Sequence, residues 1–313
     1  MQIKGETKVK RIIYAIFLSI LLLLPAACAK PSSIDGKVKI VTTIFPAYDF
    51  ARQVGGENAD VTMLLPPGSE SHNYEPTAKD IIKIQECDLF IYNGGESDAW
   101  VEKVLSSLEK KPENMKMIHT VSTVNEEITD GMEHNNTTTG NEIDEHIWTS
   151  PKNAIKIVQG ICAKICIIDG KNSSVYENNA LQYVEKIQNI DREFDTYFLK
   201  QENRTMIFGD RFPLRYFKEE YGLTCYAAFP GCASETEASS KTVSFLIDKA
   251  KETGAKKIFY IEFSSHSLAD TIASEAGATS VLFHSCHNVT ADEFNNGSTY
   301  VSLMTENLER LRG

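Results

Sequence analysis

Two runs of short apolar segments alternating with helical spacing, one on each side of a long helix-like stretch, constrain this chain most. Before that stretch, Lys37 to Thr43, Val61 to Leu65, Asp88 to Tyr92 and Lys116 to His119 read as strands. Phe45 to Val54, Thr77 to Glu86 and Trp100 to Leu108 read as helices between and after them. After it come strands at Thr205 to Phe208, Leu223 to Phe229, Lys257 to Phe263 and Thr279 to Phe283. Helices at Phe212 to Tyr221, Thr242 to Thr253, Leu268 to Ala276 and Tyr300 to Leu311 accompany them. The rhythm predicts mainly parallel sheets covered by helices. Between the two runs, Ser174 to Leu199 keeps apolar residues at helical spacing, from Ala180 and Leu181 through Val184, Ile187 and Ile190 to Phe194. A helix of that length spans roughly 35–40 Å. The predicted fold is therefore α/β, with two lobes joined by one long rigid helix and a cleft between them.

At 313 residues the chain has room for two such lobes. Its boundaries read as follows: 1–27 signal peptide, 28–37 tether, 38–170 N-terminal lobe, 171–203 linking helix and 204–313 C-terminal lobe. Lys4, Lys8, Lys10 and Arg11 precede the apolar run Ile12 to Leu24, and Pro25-Ala26-Ala27-Cys28 follows it. A basic flank, a short apolar core and small residues before a cut are the pattern of an export signal. Cys28 after two alanines resembles a bacterial lipoprotein box, which predicts lipidation at Cys28, although Pro25 departs from the usual residue there. A plain secretory signal or an uncleaved anchor is the other reading. A net charge of −11 argues against nucleic acid as a partner. Six cysteines remain after Cys28, and the sequence leaves their pairing open. Cys162 and Cys166, one helical turn apart on an apolar face, read as core residues. The polar segment Val121 to Glu145, which contains His134, reads as a loop.

Histidines recur at strand ends and helix entries, where open α/β sheets place ligands. His72 follows the stiff Pro66-Pro67-Gly68 turn, His146 precedes the helix that opens at Pro151, and His284 and His287 follow the last strand. Neutral imidazole suits zinc and its first-row neighbours better than magnesium or calcium. The candidate metal ligands are thus His72, His146, His284 and His287, and the last two need not reach one ion together. His266 reads as a helix-capping or solvent-facing residue, and His119 has no evident partner.

Pro67-Gly68 to His72 with Tyr74-Glu75-Pro76, Asn93-Gly94 to Trp100, Glu145-His146-Ile147-Trp148 to Pro151, Tyr216 to Tyr221-Gly222-Leu223, Glu235 to Ser239 and Ile261-Glu262 form a further pattern. With these motifs, residues 38–313 resemble the cluster A-I zinc and manganese substrate-binding lipoproteins of bacterial ABC transporters. The resemblance implies two lobes on a long helix, one transition metal in the cleft, and an ABC permease with its ATPase as partners. It also implies a lipid anchor on the outer face of the cell membrane and a monomer. It places His72 and His146 as the first two ligands and His284 where the family usually carries aspartate. Counting back from Tyr221-Gly222-Leu223 puts Arg211 at the third ligand position, beside Asp210. Arginine stays protonated and binds no metal. Asp210, His287 or a water is left to complete the site, and Arg211 is free to pair with Glu262. Histidine at position 284 favours zinc over manganese. A zinc hydrolase with Glu70 or Glu145 as base is the reading from another class, but no His-Glu-x-x-His helix, nucleophile elbow or phosphate loop supports it. An adhesin with an incidental metal is a third.

Overall fold

The computed structural model describes residues 36–70, 74–125, 143–231 and 237–313. His72, His134, Cys28 and Cys232 lie outside the described residues. The N-terminal lobe carries a parallel sheet in the order β2-β1-β3-β4, built from β1 (Val38–Thr42), β2 (Ala59–Met63), β3 (Leu89–Tyr92) and β4 (Glu113–Lys116). The C-terminal lobe repeats that order as β6-β5-β7-β8, from β5 (Thr205–Phe212), β6 (Thr224–Pro230), β7 (Lys257–Tyr260) and β8 (Thr279–Leu282). In each sheet the chain winds first one way and then the other from the inner strand. Both lobes therefore present a crevice at the carboxyl ends of their strands.

Helices follow most strands: α1 (Phe45–Gly55), α2 (Ala78–Glu86), α3 (Ala99–Ser107), α4 (Pro151–Ile168), α5 (Ser173–Leu199), α6 (Arg215–Tyr221), α7 (Ser240–Thr253), α8 (Ser267–Ala276), α9 (Ala291–Asn295) and α10 (Tyr300–Arg312). Thr77 starts α2 with a reciprocal capping box to Asp80, and Pro151 occupies the first turn of α4, where its missing N–H costs nothing. The 27 residues of α5 span about 40 Å at 1.5 Å each. It packs against α1 and α4 of one lobe and α6 and α10 of the other. Its buried stripe, Tyr183, Ile187, Ile190, Phe194 and Phe198, belongs to one continuous core that also holds Ile40 and Trp148 from the first lobe and Phe208 and Phe283 from the second. A shared core of this kind opposes wide hinging, because opening it would expose close-packed apolar surface.

Several stretches differ from the sequence reading. β2 lies at Ala59–Met63, two residues ahead of Val61 to Leu65, and β7 ends at Tyr260 rather than Phe263. Lys116 to His119 is not the fourth strand. β4 runs over Glu113–Lys116 and a 3-10 turn follows at Met117–Thr120. Only Met115 of β4 is buried, so this edge strand carries little of the apolar alternation that marks a strand. The strand expected to stop at Phe208 continues through a register shift to Phe212, and the helix expected from Phe212 starts at Arg215. Pro213 explains the delay, since the residue before a proline is held in extended geometry. The extension leaves Arg211 on a strand end rather than in the expected connection between strand and helix.

Glu220 on α6 shows the cost of packing charge at the lobe junction. Its carboxylate accepts from the Ser150 hydroxyl and lies 3.5 Å from Lys152 Nζ. Burial, reinforced by Asp191, outweighs those partners and pushes its pKa up from 4.5 to about 7. The fold thus favours the protonated acid. The contribution is fully present below the unfolded value and is lost as pH rises through about 7. We expect the melting temperature of Glu220→Gln to exceed the parent's at pH 8 and to match or fall below it at pH 4.5. An equal offset at both pH values in a thermal-melt series would contradict this.

A candidate metal centre in the cleft

His146 is the best-defined element of the cleft. It is fully buried, just ahead of a 3-10 turn at Ile147–Thr149. Its backbone N–H donates to Asp144 Oδ1 at 2.8 Å, and its ring Nδ1 lies 2.9 Å from the same oxygen. An ionised carboxylate only accepts, so Nδ1 carries the proton and Nε2 keeps the lone pair. A carboxylate holding the distal nitrogen fixes both tautomer and ring direction, which is the usual support of a metal-ligating imidazole. The Asp144 carbonyl in turn accepts from the Tyr216 hydroxyl at 2.7 Å. Glu145, between them, turns the other way, where its carboxylate accepts from the Ser97 N–H at 3.1 Å and from the Ser97 hydroxyl. Burial raises its pKa. A Cβ on Gly95, which sits at φ 95°, would come within 2.4 Å of Glu145 Oε2, so glycine is required there. A Cβ on Gly231 would stand 3.0 Å from the Phe212 carbonyl oxygen and 3.1 Å from His146 Cε1, so a side chain there would crowd the imidazole.

His287, from the C-terminal lobe, faces His146. Their ring centroids are 5.6 Å apart with planes at 84°. Trp148 closes the triangle, 5.5 Å from His146 and 4.9 Å from His287, and its Nε1 donates to the Ser285 carbonyl across the lobes at 2.9 Å. Two imidazoles on one tetrahedral zinc, with Zn–N near 2.0–2.1 Å, would place their centroids about 5.2 Å apart. The observed separation is within a few tenths of an ångström of that. The pocket they share holds about 20 Å³ and is also lined by Ser69, Glu70, Arg211 and Glu262. That is room for about one water-sized occupant.

The paired histidines of the last loop separate. His284 is 1% exposed and is not among the residues lining the pocket. Its Nδ1 accepts the Cys286 N–H at 2.9 Å, and its Nε2 lies 3.8 Å from Glu293 Oε1. Asn307 brackets its backbone, accepting from the His284 N–H and donating to its carbonyl. Burial opposes charging the ring, but Glu262 and Glu293 outweigh it and raise the His284 pKa, while the His284 imidazole holds Glu293 down at about 2. Cys286, at φ 63°, turns the chain between the two histidines, so that the first faces inward and the second faces the cleft.

The acids and Arg211 are also sorted. Asp210 is buried with both oxygens bound to backbone N–H groups, of Arg211 at 2.7 Å and Ile261 at 2.9 Å, and burial raises its pKa. It does not line the pocket. Glu262 accepts from the Ser285 N–H and hydroxyl and from the His287 N–H, which fixes the loop that carries His287. Arg211 does not hydrogen-bond Glu262. It grips Glu70 with two N–H groups, at 3.1 and 3.3 Å. Neither Glu70, paired with arginine, nor Glu145, turned into its own lobe, stands as a general base. His266 sits at the N-cap of α8 without a capping bond, exposed, with Nδ1 2.9 Å from Asp270. Cys162 and Cys166 are 4.0 Å apart at sulfur and unbridged, packed on the α4 face as expected. Sequence reasoning missed Asp144 as the orienting group of His146. The Asp-x-His spacing was the available signal.

Fold and site together define a two-lobed binding protein whose ligand seat, lined by imidazole, lies between two parallel sheets. The family described as zinc-uptake complex component A, periplasmic (ZnuA) matches residues 40–313, and the chain belongs to it. It is 32% identical to the zinc-binding lipoprotein AdcA of Streptococcus pneumoniae over 291 residues, covering 91% of this chain and 57% of that protein. The chain therefore spans little more than half of that relative. It is 32% identical to the high-affinity zinc uptake system protein ZnuA of Bacillus subtilis over 303 residues, 93% of each. Among solved structures, the Zn(II)-bound ZnuA-like domain of Streptococcus pneumoniae AdcA superposes with a TM-score of 0.74 at 30% identity, covering 88% of this chain and 98% of that one. The metal-dependent lipoprotein YcdH of Bacillus subtilis gives 0.73 at 31%, with the same coverage.

Proposed function

We propose that this chain is the extracytoplasmic zinc-capturing component of an ABC uptake system and is not an enzyme. The carrying observation is the pair His146 and His287, at zinc-like separation in a pocket sized for one ion. The ligand set we propose is His72, His146 and His287, with a water or the edge of Glu262 completing four. Ser69 and Glu70, next to the segment that contains His72, line the same pocket, which supports His72 as the third imidazole. His284, the alternative from the sequence, serves in this reading as a buried brace for the His287 loop. Zinc is the cargo. An imidazole-dominated donor set favours it over manganese, which prefers carboxylate and water. The relatives' printed names and the zinc-bound AdcA domain point the same way.

The partners that follow are a membrane permease and its ATPase, with Cys28 as a lipid anchor holding a monomer at the outer face of the cell membrane. Among the described residues no helix is long and apolar enough to cross a membrane. Delivery on a shared core would proceed by small movements of the loop after β8, which carries His287, away from His146, rather than by a wide swing.

A metal that binds only the folded state stabilises it by RT ln(1 + [L]/Kd), about 2.7 kcal/mol at a hundredfold excess over Kd. We expect equimolar zinc to raise the melting temperature of the mature chain well beyond manganese at the same concentration, with one zinc per chain by native mass spectrometry. Equal shifts from the two metals would overturn the zinc assignment.

A further inference from the structure

Arg211 stands at the position where the family resemblance leads one to look for a metal ligand, yet its guanidinium is directed at a carboxylate of the opposite lobe. Both terminal nitrogens contact Glu70, at 3.1 Å to Oε1 and 3.3 Å to Oε2, in the two-pronged geometry that gives arginine pairs their strength and direction. The Arg211 side chain is only 12% exposed and that of Glu70 37%. The contact is thus shielded more than an ordinary surface pair, whose value is near zero. It spans 141 positions of sequence and joins the end of β5 to the loop after β2. The same loop is held from the C-terminal lobe at neighbouring points. Asn288 Nδ2 donates to the Pro66 and Ser69 carbonyls at 2.8 Å, and Gly68 donates to the Val289 carbonyl at 2.8 Å. Asn288 and Val289 directly follow His287. The backbone beside one wall of the pocket is therefore tied to the backbone beside the other, with the charged pair as one member of the set.

We infer that Arg211 is a positioning residue for metal retention: its pair with Glu70 clasps the two loops across the cleft and so sets how slowly a captured ion leaves. This rests on the proposed zinc-binding reading and adds a component outside the proposed ligand set. A residue that acts by clasping changes the rate of escape, whereas loss of a ligand removes affinity outright.

The experiment measures zinc release into excess chelator by stopped flow, with association rates taken separately, for the parent, Arg211→Gln, Glu70→Gln and the double variant. Each single variant is expected to release zinc about tenfold faster, equivalent to about 1.4 kcal/mol, with association changed less than twofold. The double variant should be no faster than either single one, because both remove one contact. In the parent, release should quicken as sodium perchlorate is raised, and in Glu70→Gln it should not. Arg211→Lys, which keeps the charge but loses the fork, is expected to fall between parent and Arg211→Gln. Release within twofold of the parent in both single variants, or additive effects in the double one, would overturn the inference. If Arg211→Gln does not fold, Glu70→Gln, which keeps the arginine, and the salt series decide alone. A parent that holds no zinc, or that behaves as His146→Ala does, would instead sink the zinc-binding reading itself.

Discussion

Replacing His146 or His287 with alanine is expected to lower zinc affinity about a hundredfold or more, roughly 2.7 kcal/mol, while His284→Ala lowers it less than threefold. The contrast follows from geometry. His146 and His287 face one another at 5.6 Å across the pocket, whereas His284 is buried outside its lining, with Nδ1 accepting the Cys286 N–H and Nε2 3.8 Å from Glu293 Oε1. His284→Ala should be felt as a loss of stability, because it leaves the Cys286 N–H without its acceptor in a fully buried turn. Competitive chelator titrations and thermal melts on the same three variants separate the two effects. If His284→Ala loses zinc and His287→Ala keeps it, the assignment within the pair is reversed. Affinity should also drop as pH falls, since protons compete with the metal for each imidazole nitrogen and several are displaced by one ion. A carboxylate-dominated site would hold its ion to lower pH.

Trp148→Ala is expected to cost about 3–5 kcal/mol of stability, in the range for a buried large-to-small change. The ring is fully buried, packs on both His146 and His287, and donates to Ser285 across the lobes. Trp148→Phe keeps most of the packing and loses the hydrogen bond, so a smaller loss of about 1–2 kcal/mol is expected. Because the ring sets the spacing of the two imidazoles, Trp148→Ala should weaken zinc binding as well, and Trp148→Phe should do so much less. A denaturant series on both variants checks the stability order. A Trp148→Ala protein as stable as the parent would show that the ring is not the wedge between the lobes that its contacts describe.

Much of the fold was legible because its elements carry strong periodicity. The stripe from Ala180 to Phe194 marked α5 to within a residue at its start, and the apolar runs at β1, β3 and β6 lie where alternation placed them. The edge strand β4 was misplaced because three of its four residues face outward or are only partly covered. The continuation of β5 depends on a register shift opposite β6, a tertiary feature with no local signature. In the site, residue type and strand-end position were enough to nominate His146 and His287. They were not enough to tell which of His284 and His287, three residues apart, lines the pocket, because that is decided by the positive φ of Cys286 and by Asn307 and Glu293 closing around His284. The partner of Arg211 was equally hidden. Glu262 and Glu70 are both carboxylates near the cleft, and only the backbone and hydroxyl donors that occupy Glu262 leave Glu70 for the guanidinium.

The most direct test is the crystal structure of the zinc-loaded chain with anomalous scattering recorded on both sides of the zinc absorption edge. The expected result is a single strong peak in the cleft, about 2.0–2.1 Å from the Nε2 atom of His146 and from an imidazole nitrogen of His287. A peak beside His284 and Glu293, or no cleft peak from protein that has bound one equivalent of zinc, would contradict the account.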